Sequence, residues 1–202
     1  MPPSWGGPGL KVASLPRMSE VSDRYATIAS GFTKRMEAVP ADRWASPSPC
    51  DDWTARDVVV HVINTHRRVL STLDKTEPAE VSTGSTDGEL AIAWDEAHGA
   101  VSDALNDERR ASQTISGMFA DQPFSQLVGR LLCADTLIHT WDLARAAGLD
   151  ERLDTDAVAK ASEFLAPLDE AIRRPGGFSP KIDPKPDADA QTRLLNFAGR
   201  AV

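Results

Sequence analysis

The sequence predicts an all-α domain. Three observations lead there. Apolar residues recur at steps of three and four along five long segments, no run shows a convincing strand alternation, and clusters of Pro, Gly, Ser and Asp separate the segments. With 202 residues, 41% of them hydrophobic and 26% charged, the chain is long enough to bury a core.

The N-terminal stretch Met1 to Arg17 holds Pro and Gly but no apolar run of the kind a secretory signal needs. Residues 1–18 are expected to be a disordered extension, with Met18 as an alternative start, and residues 19–202 to form the folded domain. A first helix is expected from about Ser19, its N-cap, to Ala38, with Val21, Tyr25, Ile28, Phe32, Met36 and Val39 inward and Pro40 as its stop. A turn-rich loop follows, Ser46 to Trp53. Thr54-Ala55-Arg56-Asp57 then has the form of a capping box with Asp in the usual Glu position. It opens a second helix that runs to about Leu73, with Val58, Val62, Val69 and Leu73 on one face and His61 beside them.

A polar loop, Glu77 to Asp87, precedes a third helix from about Gly88 to Leu105, with Leu90, Trp94, Ala97, Val101 and Leu105 inward. Glu108 to Pro123 reads as irregular. The fourth helix is strongly apolar and spans about Phe124 to Ala147, with Gly148 as its terminator. A fifth is expected over Thr155 to Arg174, then a Pro/Gly loop from Pro175 to Pro186, then a short helix from Ala188 to Gly199.

The net charge of −8, from 22 basic and 30 acidic residues, argues against nucleic acid and against an anionic membrane as partners. No segment is apolar enough and long enough to span a bilayer. Two cysteines, Cys50 and Cys133, are too few for a disulfide framework, and a cytoplasmic setting is expected.

Asp135 and His139 sit at i, i+4 in the fourth helix, so the carboxylate and the imidazole share one face. A core-facing carboxylate must be paired, hydrogen-bonded or metal-bound. Here the choice lies between a metal and an ion pair with Arg145, Arg56 or Arg130. His61, in the apolar run Val58 to Ile63, is a third candidate ligand from another helix. His66 and His98 read as solvated residues. Asp142, at i+3 from His139, could be a fourth ligand, but the expected role is to accept a hydrogen bond from a ligand imidazole or to pair with Arg145. Two imidazoles and one carboxylate with an open position fit a catalytic Zn²⁺ site, with Ni²⁺ and Fe²⁺ as alternatives. Cys133 points away from Asp135. Cys50, before the second helix, could have a lowered pKa but reads better as a small buried hydrophobe.

Trp44, the segment Pro49-Cys50-Asp51-Asp52-Trp53-Thr54-Ala55-Arg56-Asp57 leading into His61, and the segment Asp135 to Gly148 together resemble the DinB-like metal-binding bundles. More closely, they resemble the N-terminal domain group of the mycothiol-dependent maleylpyruvate isomerases. The resemblance covers about Ser19 to the C-terminus. It implies an up-down four-helix bundle, with extra C-terminal helices here, holding a divalent metal through His61, Asp135 and His139. The family has Glu where this chain has Asp135, which shortens that ligand arm by one methylene. The isomerase carries a further C-terminal domain, where this chain has a Pro-rich loop and a short helix.

The function expected is a thiol-dependent transferase or isomerase, with mycothiol as cosubstrate, in which the metal activates the thiol. Its partners would be a small-molecule thiol and an electrophile, with a homodimer as an option for assembly. A metal-dependent hydrolase and a non-catalytic metal-binding bundle are the alternatives.

Overall fold

The computed structural model describes residues 18–116, 121–170, 172–173 and 177–202. The expected N-terminal extension and part of the Pro/Gly loop lie outside the described residues. The protein is all-α. Its elements are α1 (Met18–Glu37), α2 (Ala55–Asp74), α3 (Asp87–Asn106), the short α4 (Glu108–Ser112), β1 (Thr114–Ile115), β2 (Gln122–Pro123), α5 (Phe124–Leu127), α6 (Cys133–Ala147), α7 (Thr155–Leu165) and α8 (Ala190–Phe197). A π-helical turn, Val128–Leu132, joins α5 to α6, and a 3₁₀ turn, Ala166–Leu168, follows α7.

Four long helices close a ring in which α1 packs on α3 and α6, and α2 packs on the same two. Their apolar stripes meet inside it. Val21, Tyr25, Ile28, Phe32 and Met36 of α1 are buried, as are Val58, Val62, Val69 and Leu73 of α2 and Leu90, Trp94, Ala97, Val101 and Leu105 of α3. Phe32 packs on Trp94 with ring centroids 4.7 Å apart, and the indole N–H donates to Thr33 Oγ1 at 2.8 Å. The polar end of this buried indole is thereby satisfied.

Sequence rules account for the helix ends. Thr54 and Asp57 form the expected capping box of α2, and Thr86 with Glu89 forms a second one at α3. Gly148 ends α6 with φ 70°, a conformation in which glycine carries no side-chain penalty.

Four expectations need correction. The helix expected to end at Arg174 stops at Leu165, because Pro167 has no N–H to continue the ladder. The described α1 begins at Met18, so Ser19 lies inside its first turn rather than capping it. The span read as irregular, Glu108 to Pro123, contains α4 and a two-residue antiparallel ladder, Thr114–Ile115 on Gln122–Pro123. His66, expected in solvent, is fully buried between Tyr25 and Trp94. The fourth helix covers the expected span, Phe124 to Ala147, but is widened by the π turn. Gly129 lies in that turn, and a Cβ there would sit 3.0 Å from Arg24 Nη2 and 3.1–3.2 Å from the Val21 methyls. Glycine is what lets α1 approach so closely.

Candidate metal centre

The segment between α1 and α2 folds back before α2 begins. Ser48 N–H donates to Trp53 O at 2.8 Å, Pro47 bridges to Thr54, and Asp52 takes a left-handed φ of 63°. That turn presents Cys50 and Trp53 toward the bundle. The capping box then fixes the phase of α2, which sets His61 on the flank facing α6.

The structure brings His61, Asp135 and His139 together. His61 Nε2 lies 3.2 Å from Asp135 Oδ1, and His139 Nε2 lies 3.6 Å from the same oxygen. The donor atoms of all three lie within 4.8 Å of one another. Donors about 2.1 Å from a shared tetrahedral ion stand roughly 3.4 Å apart, so the observed separations fit one ion. Trp53 holds both rings, with centroids 4.8 Å from His61 and 5.7 Å, stacked, from His139.

Proton placement supports that fit. His139 Nδ1 lies 2.9 Å from Asp142 Oδ2, and the tautomer that donates Nδ1–H to this carboxylate keeps its lone pair on Nε2. That lone pair faces a carboxylate oxygen. Two acceptors so placed repel unless a positive charge, a proton or a metal ion, lies between them. The other oxygen, Asp135 Oδ2, is buried with no hydrogen-bond partner. Such an orphaned acceptor is costly unless something outside the chain satisfies it. Burial alone would raise the Asp135 carboxyl, but the His61 and His139 imidazoles pull it down to about 2. Burial works to lower His61, and the Asp135 charge and hydrogen bond outweigh it, so its pKa is raised.

None of the arginines considered as partners for Asp135 reaches it. Arg56 pairs with Asp87, Arg145 with Glu151, and Arg130 touches Gln122 Oε1 at 3.5 Å. Asp142 acts as the acceptor behind His139. Its countercharge is Arg200, which donates Nε–H to Oδ1 and Nη2–H to Oδ2, each at 2.9 Å. Burial pushes the Asp142 carboxyl up, and the hydrogen bonds from His139 and Arg200 bring it down to about 2. Arg200 was not legible in the sequence. It stands 58 residues from Asp142, outside any helical spacing. No spacing in the sequence points to it, since the basic residue within helical reach of Asp142 is Arg145, at i+3.

Cys50 departs from expectation. Its thiol is half-buried and polar in its contacts, donating to Asp142 Oδ2 at 3.3 Å and accepting from Arg200 Nη2 at 3.1 Å. Burial and the Asp142 charge push it up to about 12, opposite to the lowering a helix N-terminus would give. Cys50, His139 and Asp142 also cluster closely enough to suggest a metal, but the Arg200 guanidinium already supplies the positive charge there.

His61, Asp135 and His139 open into a cleft of about 960 Å³. One wall is apolar, with Leu131, Phe164, Leu165, Leu168, Ile172 and Phe178, while Arg68, Arg130 and Arg200 contribute positive charge. No described helix is long and apolar enough to cross a membrane.

Residues 25–144 match the family model of the mycothiol maleylpyruvate isomerase N-terminal domain. Two uncharacterized proteins of Mycobacterium tuberculosis, Rv0738 of strain H37Rv and MT0763 of strain CDC 1551, are each 27% identical to the chain over 178 residues, covering 85% of it and 92% of the relative. The crystal structure of a mutant of the mycothiol-dependent maleylpyruvate isomerase shares the fold with a TM-score of 0.56 and 14% identity, covering 80% of this chain and 71% of that one.

Proposed function

The chain belongs to the mycothiol maleylpyruvate isomerase N-terminal domain family, and on that premise we propose that it holds one divalent metal ion and works on a small-molecule thiol. His61, Asp135 and His139 are the proposed ligands. The observation that carries this reading is the orphaned Asp135 Oδ2, beside a neighbouring oxygen that two imidazole nitrogens face. When bound, the ion supplies a Lewis-acidic position that lowers the pKa of a thiol. Zn²⁺ suits this donor set, and Ni²⁺ and Fe²⁺ are the alternatives.

The remaining roles belong to this chain's own side chains. Asp142 holds the Nδ1 proton of His139 and so keeps Nε2 free as a donor. Trp53 restrains both rings. The apolar wall from Leu131 to Phe178 excludes water from the reacting thiol, and the cleft is large enough for a thiol cosubstrate beside an electrophile. Arg130 has no carboxylate partner in any described contact, which leaves it for an anionic group on the electrophile. Mycothiol is the proposed thiol, and the reaction class is an isomerisation or a transfer.

Metal analysis of protein purified without chelator, followed by calorimetric titration with mycothiol, tests the reading. The expected result is about one equivalent of metal, thiol binding by the loaded protein, and loss of both in His139→Ala. A protein that keeps its metal but binds no thiol at any pH would favour a hydrolase or a non-catalytic metal protein instead.

A further inference from the structure

Arg200 enters the site from the segment after α8, and the chain around it is shaped to deliver it. Gly199 takes a φ of 81°, and a Cβ there would lie 2.8 Å from Ser179 Cβ and 2.9 Å from Pro180 O. Only glycine makes that pass without strain. Arg173 clamps the same corner, donating to Ser179 O and to Phe197 O. Arg200 N–H donates to Leu195 O at 2.8 Å, and its carbonyl accepts from Asn196 Nδ2 at 2.8 Å. Arg200 is then 4% exposed, and its guanidinium spends its donors on Asp142, Cys50 Sγ and Ala198 O.

We infer that Arg200 is a positioning residue for the metal centre, acting through Asp142 to hold the His139 imidazole in one tautomer and one orientation. The inference rests on the proposed ligand set, but its core claim concerns a hydrogen-bond chain that exists without metal. The two-pronged contact fixes both oxygens of Asp142, and a fixed Oδ2 gives His139 Nδ1–H a near acceptor at 2.9 Å, against 4.0 Å to Cys50 Sγ. With the ring held, Nε2 is aimed at the position shared with His61 and Asp135. Outer partners of metal-ligating histidines typically contribute about ten- to hundredfold in metal affinity. Cys50 closes the chain on its other side. Its thiol donates to the same Oδ2, so three donors converge on that oxygen and hold it in place.

The experiment compares wild type, Arg200→Met and Arg200→Lys. Nitrogen NMR of the His139 imidazole in the metal-free protein reports the tautomer, and competition with a chromophoric chelator reports zinc affinity. Wild type is expected to show the Nδ1–H tautomer alone. Arg200→Met is expected to show a mixture and about ten- to hundredfold weaker zinc binding. Arg200→Lys, which keeps the charge without the fork, should restore part of both. If Arg200→Met does not fold, Arg200→Lys is compared with wild type alone, with the same direction expected. An unchanged tautomer in a folded variant overturns the inference, even where zinc affinity falls, because a merely structural arginine would also weaken binding. A wild-type protein that binds no zinc overturns the ligand set, and the tautomer then decides the inference by itself.

Discussion

His66 is a histidine buried whole, with Nδ1–H bonded to Val62 O at 2.8 Å and Nε2 without a partner. Burial pulls its pKa from 6.5 down to about 4. The folded protein therefore resists a proton that the unfolded chain accepts. Its contribution is fully present above pH 6.5 and is lost as pH falls toward 4, to the extent of about 3 kcal/mol. His61 runs the other way, since its raised pKa favours the fold below the unfolded value and loses that advantage as pH rises. A variant isolates the His66 effect: between pH 7.5 and pH 5, His66→Leu should lose markedly less melting temperature than wild type, and equal losses would refute this account. Cys50 gives a second check. With its thiol at about 12, alkylation by iodoacetamide at pH 7.5 should run at least about a hundredfold slower than for an exposed cysteine, as followed by mass spectrometry. At this scale the sequence was readable where spacing carries the information. Asp135 and His139 declare a shared face through i, i+4, and Asp142 declares itself as the acceptor one turn on. His66 was misread because its phase was judged against His61, five residues away; against Val62 and Val69, at i+4 and i−3, it falls on the buried stripe of α2.

Whole helices were more legible than their ends. The stripes of α1, α2 and α3 matched the buried faces because a 3.6-residue period leaves little choice of orientation. What periodicity cannot register is a change of period, and the π turn at Val128–Leu132 is one. It sits directly before α6 and adjusts the phase at which Asp135 and His139 are presented. Gly129→Ala should therefore act on element packing. The added methyl meets Val21, a β-branched residue with little freedom to move, and a cost of about 1–3 kcal/mol is expected from overpacking α1 against the turn. Thermal melts check this, and an unchanged midpoint would mean the turn yields more readily than its contacts suggest. At the start of α2 the capping box is worth about 1 kcal/mol, so Thr54→Ala should lower the midpoint by roughly 2–4 °C. The same change loosens Trp53, the preceding residue, and a loss of metal affinity should accompany the loss of stability.

The molecule as a whole carries a charge of −8, yet the cleft gathers Arg68, Arg130 and Arg200 around two imidazoles. The proposed divalent ion would bind the folded chain and not the unfolded one. Zinc at about a hundredfold excess over its Kd should stabilise chelator-treated protein by about 2.7 kcal/mol, a rise of roughly 5–10 °C in the melting midpoint. His139→Ala should show almost none of that rise, and an equal rise in both proteins would place the ion elsewhere. The link between Asp142 and Arg200 also has a consequence in time. A chain is made from its N-terminus, and 58 residues separate the carboxylate from its guanidinium. At typical rates of synthesis, roughly 5–20 residues per second, Asp142 exists for roughly 3 to 12 s before Arg200 has been added. Throughout that interval, closing the helices around it would bury a charge whose main countercharge is missing, at a cost of several kcal/mol. The centre of this protein is thus completed only after synthesis passes Arg200, and a nascent chain stalled short of that residue should remain open to protease where one that includes it resists.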